Sequence, residues 1–192
     1  MSSLILRATE LSHLLLALSV CEGDTVIDAT AGRGRDTCFL SALVGVSGQV
    51  WAFDIQEEAC RATKAALECQ NLAEQVRIIC DDHAHMAAYD IPPAAAVVFN
   101  LGWLPGSNHR IVSGEKTVLA LQAALDKLKE GGALVVVAYP GHPEGAAEYT
   151  AVLGWLTSLP QRKAKSLQIN LPANKQAPVV LLIEKQLSEQ EK

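Results

Sequence analysis

Asn100 closes an apolar run, "AAVVFN" (95–100), and stands ahead of "LGWLPGSNHR" (101–110). An amide and a large aromatic at the end of a buried strand can accept N–H hydrogens and offer a stacking surface at Trp103. They can equally be a strand-end turn residue beside a core tryptophan, and this peptide alone leaves the two even. A second concentration of chemistry is "VIDATAGRGRDT" (26–37), where Gly32 and Gly34 stand between a strand and a helix. Glycine there permits positive φ and close backbone approach to a ligand, and the helix start offers unpaired N–H groups. Asp36 or Thr37 can cap the helix that follows.

The G-x-G-x-x-G dinucleotide pattern is incomplete, because Thr37 stands at its third glycine. Asp28, just before the loop, is unfavourable beside an anionic pyrophosphate but favourable beside the ammonium and sulfonium of S-adenosylmethionine, which is therefore the expected cofactor. Asp54, ending the second strand, suits ribose hydroxyls. In "CDDHAHM" (80–86), Asp82 can accept from an adenine amino group, with His83 nearby. A metal site from Asp81, Asp82, His83 and His85 would need a converging set elsewhere, and none is visible, so no metal is expected. Ordinary loop polarity stays open for this segment.

These residues need a scaffold that brings strand ends together. "TVIDA" (25–29), "QVWAFDI" (49–55), "VRIIC" (76–80), "AAVVFN" (95–100) and "ALVVVAY" (133–139) read as strands, with helical patterns over 36–44, 57–70, 115–129 and 144–158. Such alternation implies a parallel sheet flanked by helices. "AKSLQINL" (164–171) and "APVVLLIEK" (177–185) are separated by only "PANKQ", too short for a parallel crossover, so they are expected to pair antiparallel. The expected fold is α/β, of the Rossmann-like class I methyltransferase arrangement: one domain over 1–185 and a polar tail over 186–192. The opening residues 1–20 read as an amphipathic helix broken by Arg7, Glu10 and His13 rather than as a signal peptide. His13 is expected to serve packing or surface.

The bulk numbers agree. The 192 residues are 49% hydrophobic and 19% charged, which suits a globular chain. No apolar run reaches the roughly 20 residues of a membrane span. Five cysteines without a C-x-x-C pair suggest reduced thiols and a cytoplasmic protein. A net charge of -5 argues against broad nonspecific nucleic-acid binding, though Arg33 with Arg35, His109 with Arg110 and Lys116, and "QRKAK" (161–165) are local basic candidates.

Taken together, "DATAGRGRDT", "AFDIQ", "FNLGWLPG", "YPGHPEG" and "PVVLLIEK" resemble the bacterial class I methyltransferases of the MnmM (YtqB-like) type, long labelled rRNA methylases. The resemblance spans nearly the whole chain, and its specific part is "FNLGWLPG" with "YPGHPEG". Arg33 stands where that family commonly has Asn, and Trp103 where it has Tyr. The resemblance implies transfer of a methyl group from S-adenosylmethionine to the amine of 5-aminomethyl-2-thiouridine at the tRNA wobble position. It implies cofactor contacts at Asp28, Thr30, Ala31, Gly32, Gly34, Asp36, Thr37, Asp54, Gln56, Asp82, His83 and Asn100.

On the substrate side, Asn100 Oδ1 and the Leu101 carbonyl would accept the two amine hydrogens, and Trp103 would stack on the extruded base. His142 in "YPGHPEG" is the candidate for helping a proton leave, with a structural role nearly as well supported. Tyr139, His109, Arg110 and Lys116 are candidates for the anticodon stem-loop. An ammonium about 4 Å from the sulfonium would be repelled by roughly 4 kcal/mol at an effective dielectric of 20. That would lower its pKa by about three and favour the neutral, attacking amine. Other functions stay open: methylation of rRNA or a different tRNA base, small-molecule N-methylation, or a noncatalytic cofactor-binding module. The expected assembly is a monomer or homodimer.

Overall fold

Short runs rich in β-branched and other apolar residues build the sheet of this protein. Its computed structural model describes residues 7–102, 114–170 and 177–187. The order of elements is α1 (Ala8–Ser19), β1 (Thr25–Asp28), α2 (Arg35–Val44), β2 (Gln49–Phe53), α3 (Glu57–Cys69), β3 (Val76–Ile79), a 3-10 helix (His83–Ala88), β4 (Ala94–Leu101), α4 (Gly114–Lys127), β5 (Leu128–Ala138), α5 (Pro143–Ser158), β6 (Ala164–Asn170) and β7 (Val179–Lys185). The seven strands lie in the order β3-β2-β1-β4-β5-β7-β6. β1 to β5 are mutually parallel, and β7 runs antiparallel to both β5 and β6. The antiparallel pairing expected from the short "PANKQ" connection is present. The later strand, β7, inserts between β5 and β6, which the connection length does not specify.

Alternate residues of the strands serve opposite faces, as the two-residue period of a strand requires. Ile27, Val97, Phe99, Leu134 and Val136 face a core closed by Leu121 and Ala124 of α4 and Val152 and Trp155 of α5. Val26, Ala96, Val98, Val135 and Val137 face the other core, with Leu16 of α1 and Leu40 and Val44 of α2. Both faces are covered, so the central strands read as unbroken apolar runs.

β5 begins earlier than expected, at Leu128, because "KEGG" reads as a turn but is a register shift within the ladder. Gly131 has φ 73°, and a Cβ on Gly132 would lie 2.8 Å from the Lys129 carbonyl, so both positions need glycine. The sheet therefore keeps β5 beside β4 up to the pair Leu101 and Ala138. No described helix is long and apolar enough to cross a membrane.

The strand order turns back between β1 and β4. In an open α/β sheet a crevice forms at that point, outside the carboxyl ends of the strands. The residues following β1 to β5 meet there.

Candidate active site

A cleft of about 570 Å³ opens at these strand ends, a size ordinary for a cofactor site. Its floor is the loop after β1. Gly32 and Gly34 have φ of 55° and 80°, and a Cβ on Gly34 would meet the Thr63 backbone at 3.0 Å, so the loop can press against α3 only with glycine there. Asp54 follows β2 and accepts the Gly32 N–H at 2.8 Å and the Gln56 N–H at 2.9 Å, one on each carboxylate oxygen. Each oxygen keeps a lone pair, so the fixed carboxylate can still receive two neighbouring hydroxyls.

The other end of the cleft is set by the segment after β3. Asp82 caps the 3-10 helix by accepting from the Ala84 N–H, and its second oxygen meets the Lys116 ammonium at 3.2 Å. Burial opposes its charge, but the Ala84 N–H and Lys116 outweigh burial and hold the carboxyl below its ordinary range. His83 Nδ1 lies 3.1 Å from the Ala29 carbonyl. A carbonyl only accepts, so Nδ1 carries the proton and Nε2 is a bare acceptor. That Nε2 is buried and has no partner among the described residues. Burial pushes the His83 pKa down, against the pull of Asp82, which suits a neutral ring. An unpaired buried acceptor beside a capped carboxylate fits an amino-bearing heterocycle such as adenine. With Asp54 placed for ribose, the residues present fit S-adenosylmethionine.

At the centre stands Asn100, joined to the loop after β1 by its backbone N–H, which donates to Thr30 Oγ1 at 2.7 Å. Its amide nitrogen donates to Asp36 Oδ2 at 3.2 Å. The Asn100 carbonyl is held in a tight turn by the Gly102 N–H. Asp36 is buried on the first turn of α2, and its Oδ1 lies 2.7 Å from His13 Nε2.

The end of β5 completes the wall. Burial raises the Tyr139 hydroxyl pKa, partly offset by the neighbouring Thr9 of α1. His142 caps α5, its Nδ1 accepting the Gly145 N–H at 3.1 Å with Glu144 at 3.3 Å. A side chain on Gly145 would run into the Tyr139 carbonyl, so this turn also depends on glycine.

The cleft thus brings together Thr30, Ala31, Gly32, Asp36, Asp54, Gln56, Asp82, His83, Asn100, Tyr139 and His142 from the expected set. Asp28, Gly34 and Thr37 stand behind its lining. The Asp28 carboxylate accepts from the Thr30 N–H and the Thr37 hydroxyl, fixing the loop from beneath, which corrects the expectation that it faces the cationic cofactor. Burial chiefly, and then the nearby Asp36, push the Asp28 carboxyl up to about 7. The Leu101 side chain is buried in the core. Lys116, a candidate for the anticodon stem-loop, sets its ammonium against Asp82.

Trp103, His109 and Arg110 lie outside the described residues. His13, expected in packing or at the surface, packs on Phe39 and in addition reaches the cleft residue Asp36, while Thr9 and Arg35 line the cleft. No signal within α1 marked His13, because Thr9, Glu10, Ser12 and Ser19 are polar there as well. Asp81 is taken by His85 and Tyr89, and no group of three or more potential metal ligands occurs among the described residues.

Comparison with known proteins places this geometry among methyltransferases. A family model described as "Putative rRNA methylase" matches residues 50–185. The chain is 37% identical over 165 residues to the chloroplastic tRNA (mnm(5)s(2)U34)-methyltransferase of Arabidopsis thaliana, matching 80% of this chain but only 60% of that protein's length. A solved structure of the same rRNA methylase description from Clostridium thermocellum superposes with a TM-score of 0.91 at 39% identity, covering 95% of this chain and 100% of that one. A Streptococcus mutans methyltransferase in complex with SAH superposes with a TM-score of 0.84 at 34% identity, covering 95% and 99%.

Proposed function

The chain belongs to the rRNA methylase family of S-adenosylmethionine-dependent methyltransferases, and on that premise we propose that it methylates the amine of 5-aminomethyl-2-thiouridine at the tRNA wobble position, giving 5-methylaminomethyl-2-thiouridine. The observation that carries this reading is the orientation of Asn100. A carboxylate accepts only, so Asp36 must take the amide nitrogen, and Asn100 Oδ1 is the atom left for substrate. An acceptor at this position favours a substrate that brings N–H hydrogens. The Arabidopsis relative is named for the wobble nucleoside, which supports this choice of substrate.

In this reading residues 1–185 act as one methyltransferase domain. Asp54 receives the ribose hydroxyls, and His83 Nε2 with Asp82 receives the adenine amino group. The bound cofactor supplies an electrophilic methyl group. Asn100 Oδ1 and the Leu101 carbonyl hold the two amine hydrogens, so the nitrogen lone pair is aimed rather than free to rotate, and alignment supplies most of the rate. His142, whose Nδ1 accepts the Gly145 N–H, carries its ring hydrogen on Nε2 when neutral, so it holds the turn after β5 and the departing proton passes to water. Trp103 stacks on the extruded base, and His109 and Arg110 meet the anticodon backbone.

The test is reconstitution. Purified protein, S-adenosylmethionine and tRNA from cells lacking the gene are incubated, and the nucleosides are separated by mass. Conversion of 5-aminomethyl-2-thiouridine to its methylated form is expected. Methyl transfer to another base, or to rRNA alone, would contradict the substrate while leaving the cofactor reading intact.

A further inference from the structure

Three separate elements contribute to one hydrogen-bonded chain at the cleft: His13 from α1, Asp36 from α2 and Asn100 from the end of β4. We propose that His13 is a positioning residue, which acts through Asp36 to hold the Asn100 carboxamide with Oδ1 turned to the substrate amine. The inference rests on the reading of Asn100 as the amine acceptor.

The chemistry of the three groups allows one arrangement. Asp36 offers only acceptors, so His13 presents Nε2–H to Oδ1 and Asn100 presents its NH2 to Oδ2. Asp36 is only 5% exposed, so little water competes for either oxygen. The His13 ring lies flat on Phe39, with centroids 3.9 Å apart and planes within 4°, which fixes the direction of Nε2. Phe39 belongs to α2, as Asp36 does, so stack and hydrogen bond hold the same ring against the same helix.

An asparagine amide is nearly symmetric in shape, and its oxygen and nitrogen exchange places on a half-turn. A flipped Asn100 would set Oδ1 against Asp36 Oδ2 and aim a donor at the substrate's own N–H groups. Asp36 prevents this only while its carboxylate keeps its orientation, and the His13 bond on the other oxygen sets that orientation.

The test is steady-state kinetics on tRNA bearing 5-aminomethyl-2-thiouridine. His13→Phe preserves a ring against Phe39 and removes the donor; His13→Gln restores an N–H donor without a ring. We expect His13→Phe to lower kcat roughly tenfold, as loss of a hydrogen bond to a charged group does, while cofactor Kd and the KM for tRNA stay within about twofold. His13→Gln should recover part of kcat. In an Asn100→Ala background His13→Phe should cost nothing further, because the group it positions is gone. Multiplying losses, or a His13→Phe enzyme with unchanged kcat, would overturn the proposal.

If the parent enzyme leaves that tRNA unmodified, the substrate reading fails by itself. The positioning is then read from the Asn100 side-chain amide resonances of the cofactor-bound protein. Slowed proton exchange lost in His13→Phe supports it, and identical Asn100 signals in both proteins overturn it.

Discussion

Residue by residue, the proposed function divides the cleft into groups that hold the cofactor and groups that meet the substrate. Asp54 is fixed by two backbone N–H groups, so its removal disturbs both a ligand contact and the loop that donates to it. Asp54→Ala is expected to weaken cofactor binding by about 10- to 100-fold in calorimetry, the range for loss of charge-assisted hydrogen bonds. Asn100→Ala should leave that affinity within about threefold and lower kcat by roughly a hundredfold, since a group that aligns the amine contributes mainly in the transition state. Equal losses of affinity in both variants would contradict the division. Asp54 and Asn100 were legible in the sequence because each ends an apolar strand with a polar side chain. His13 was not, because its partner is 23 residues away and nothing within α1 distinguishes a histidine that packs from one that reaches another helix.

The elements matter through the loop after β1. Gly34 combines φ 80° with a Thr63 backbone 3.0 Å from where a Cβ would sit, so Gly34→Ala meets both backbone strain and a clash. Its expected cost is about 1–3 kcal/mol, seen as a lowered Tm together with weaker cofactor binding. Beneath the same loop, Asp28 has its carboxyl raised to about 7, far above the ordinary 3.8. The folded state therefore keeps a proton that the unfolded chain releases, and the stability associated with Asp28 falls as pH rises from about 4 to about 7.

Asp28→Asn cannot ionise, so its Tm relative to the parent should rise between pH 5 and pH 8, by an amount on the order of 2 kcal/mol or several degrees. A Tm difference independent of pH would contradict this. The sequence marked the loop through its glycines but misdirected Asp28. A carboxylate beside a glycine loop reads as a ligand contact, and only the fold reveals that Thr30 and Thr37 turn it inward. The start of β5 was hidden for a similar reason: "KEGG" has the composition of a turn, and only the pairing of Leu128 with Ala94 ahead of it carries the strand back across the register shift.

For the whole molecule, the order β3-β2-β1-β4-β5-β7-β6 sets the crevice between β1 and β4, and every cofactor-facing segment follows from that choice. The alternation of strands and helices made this much readable, whereas the insertion of β7 between β5 and β6 is decided by packing. A chain with net charge -5 must recruit an RNA through local cations. Arg33 and Arg35 are exposed at the cleft mouth, so exchanging both for Ala should raise the KM for tRNA several-fold and leave cofactor Kd unchanged. An unaltered KM would place the RNA elsewhere on the surface.

The central claim is the nucleoside, and it is tested most directly by mass spectrometry of total tRNA nucleosides from cells with and without this gene. 5-Aminomethyl-2-thiouridine is expected to accumulate in the deletion, and 5-methylaminomethyl-2-thiouridine to return with the parent gene but not with Asn100→Ala. An unchanged wobble profile in the deletion would contradict it.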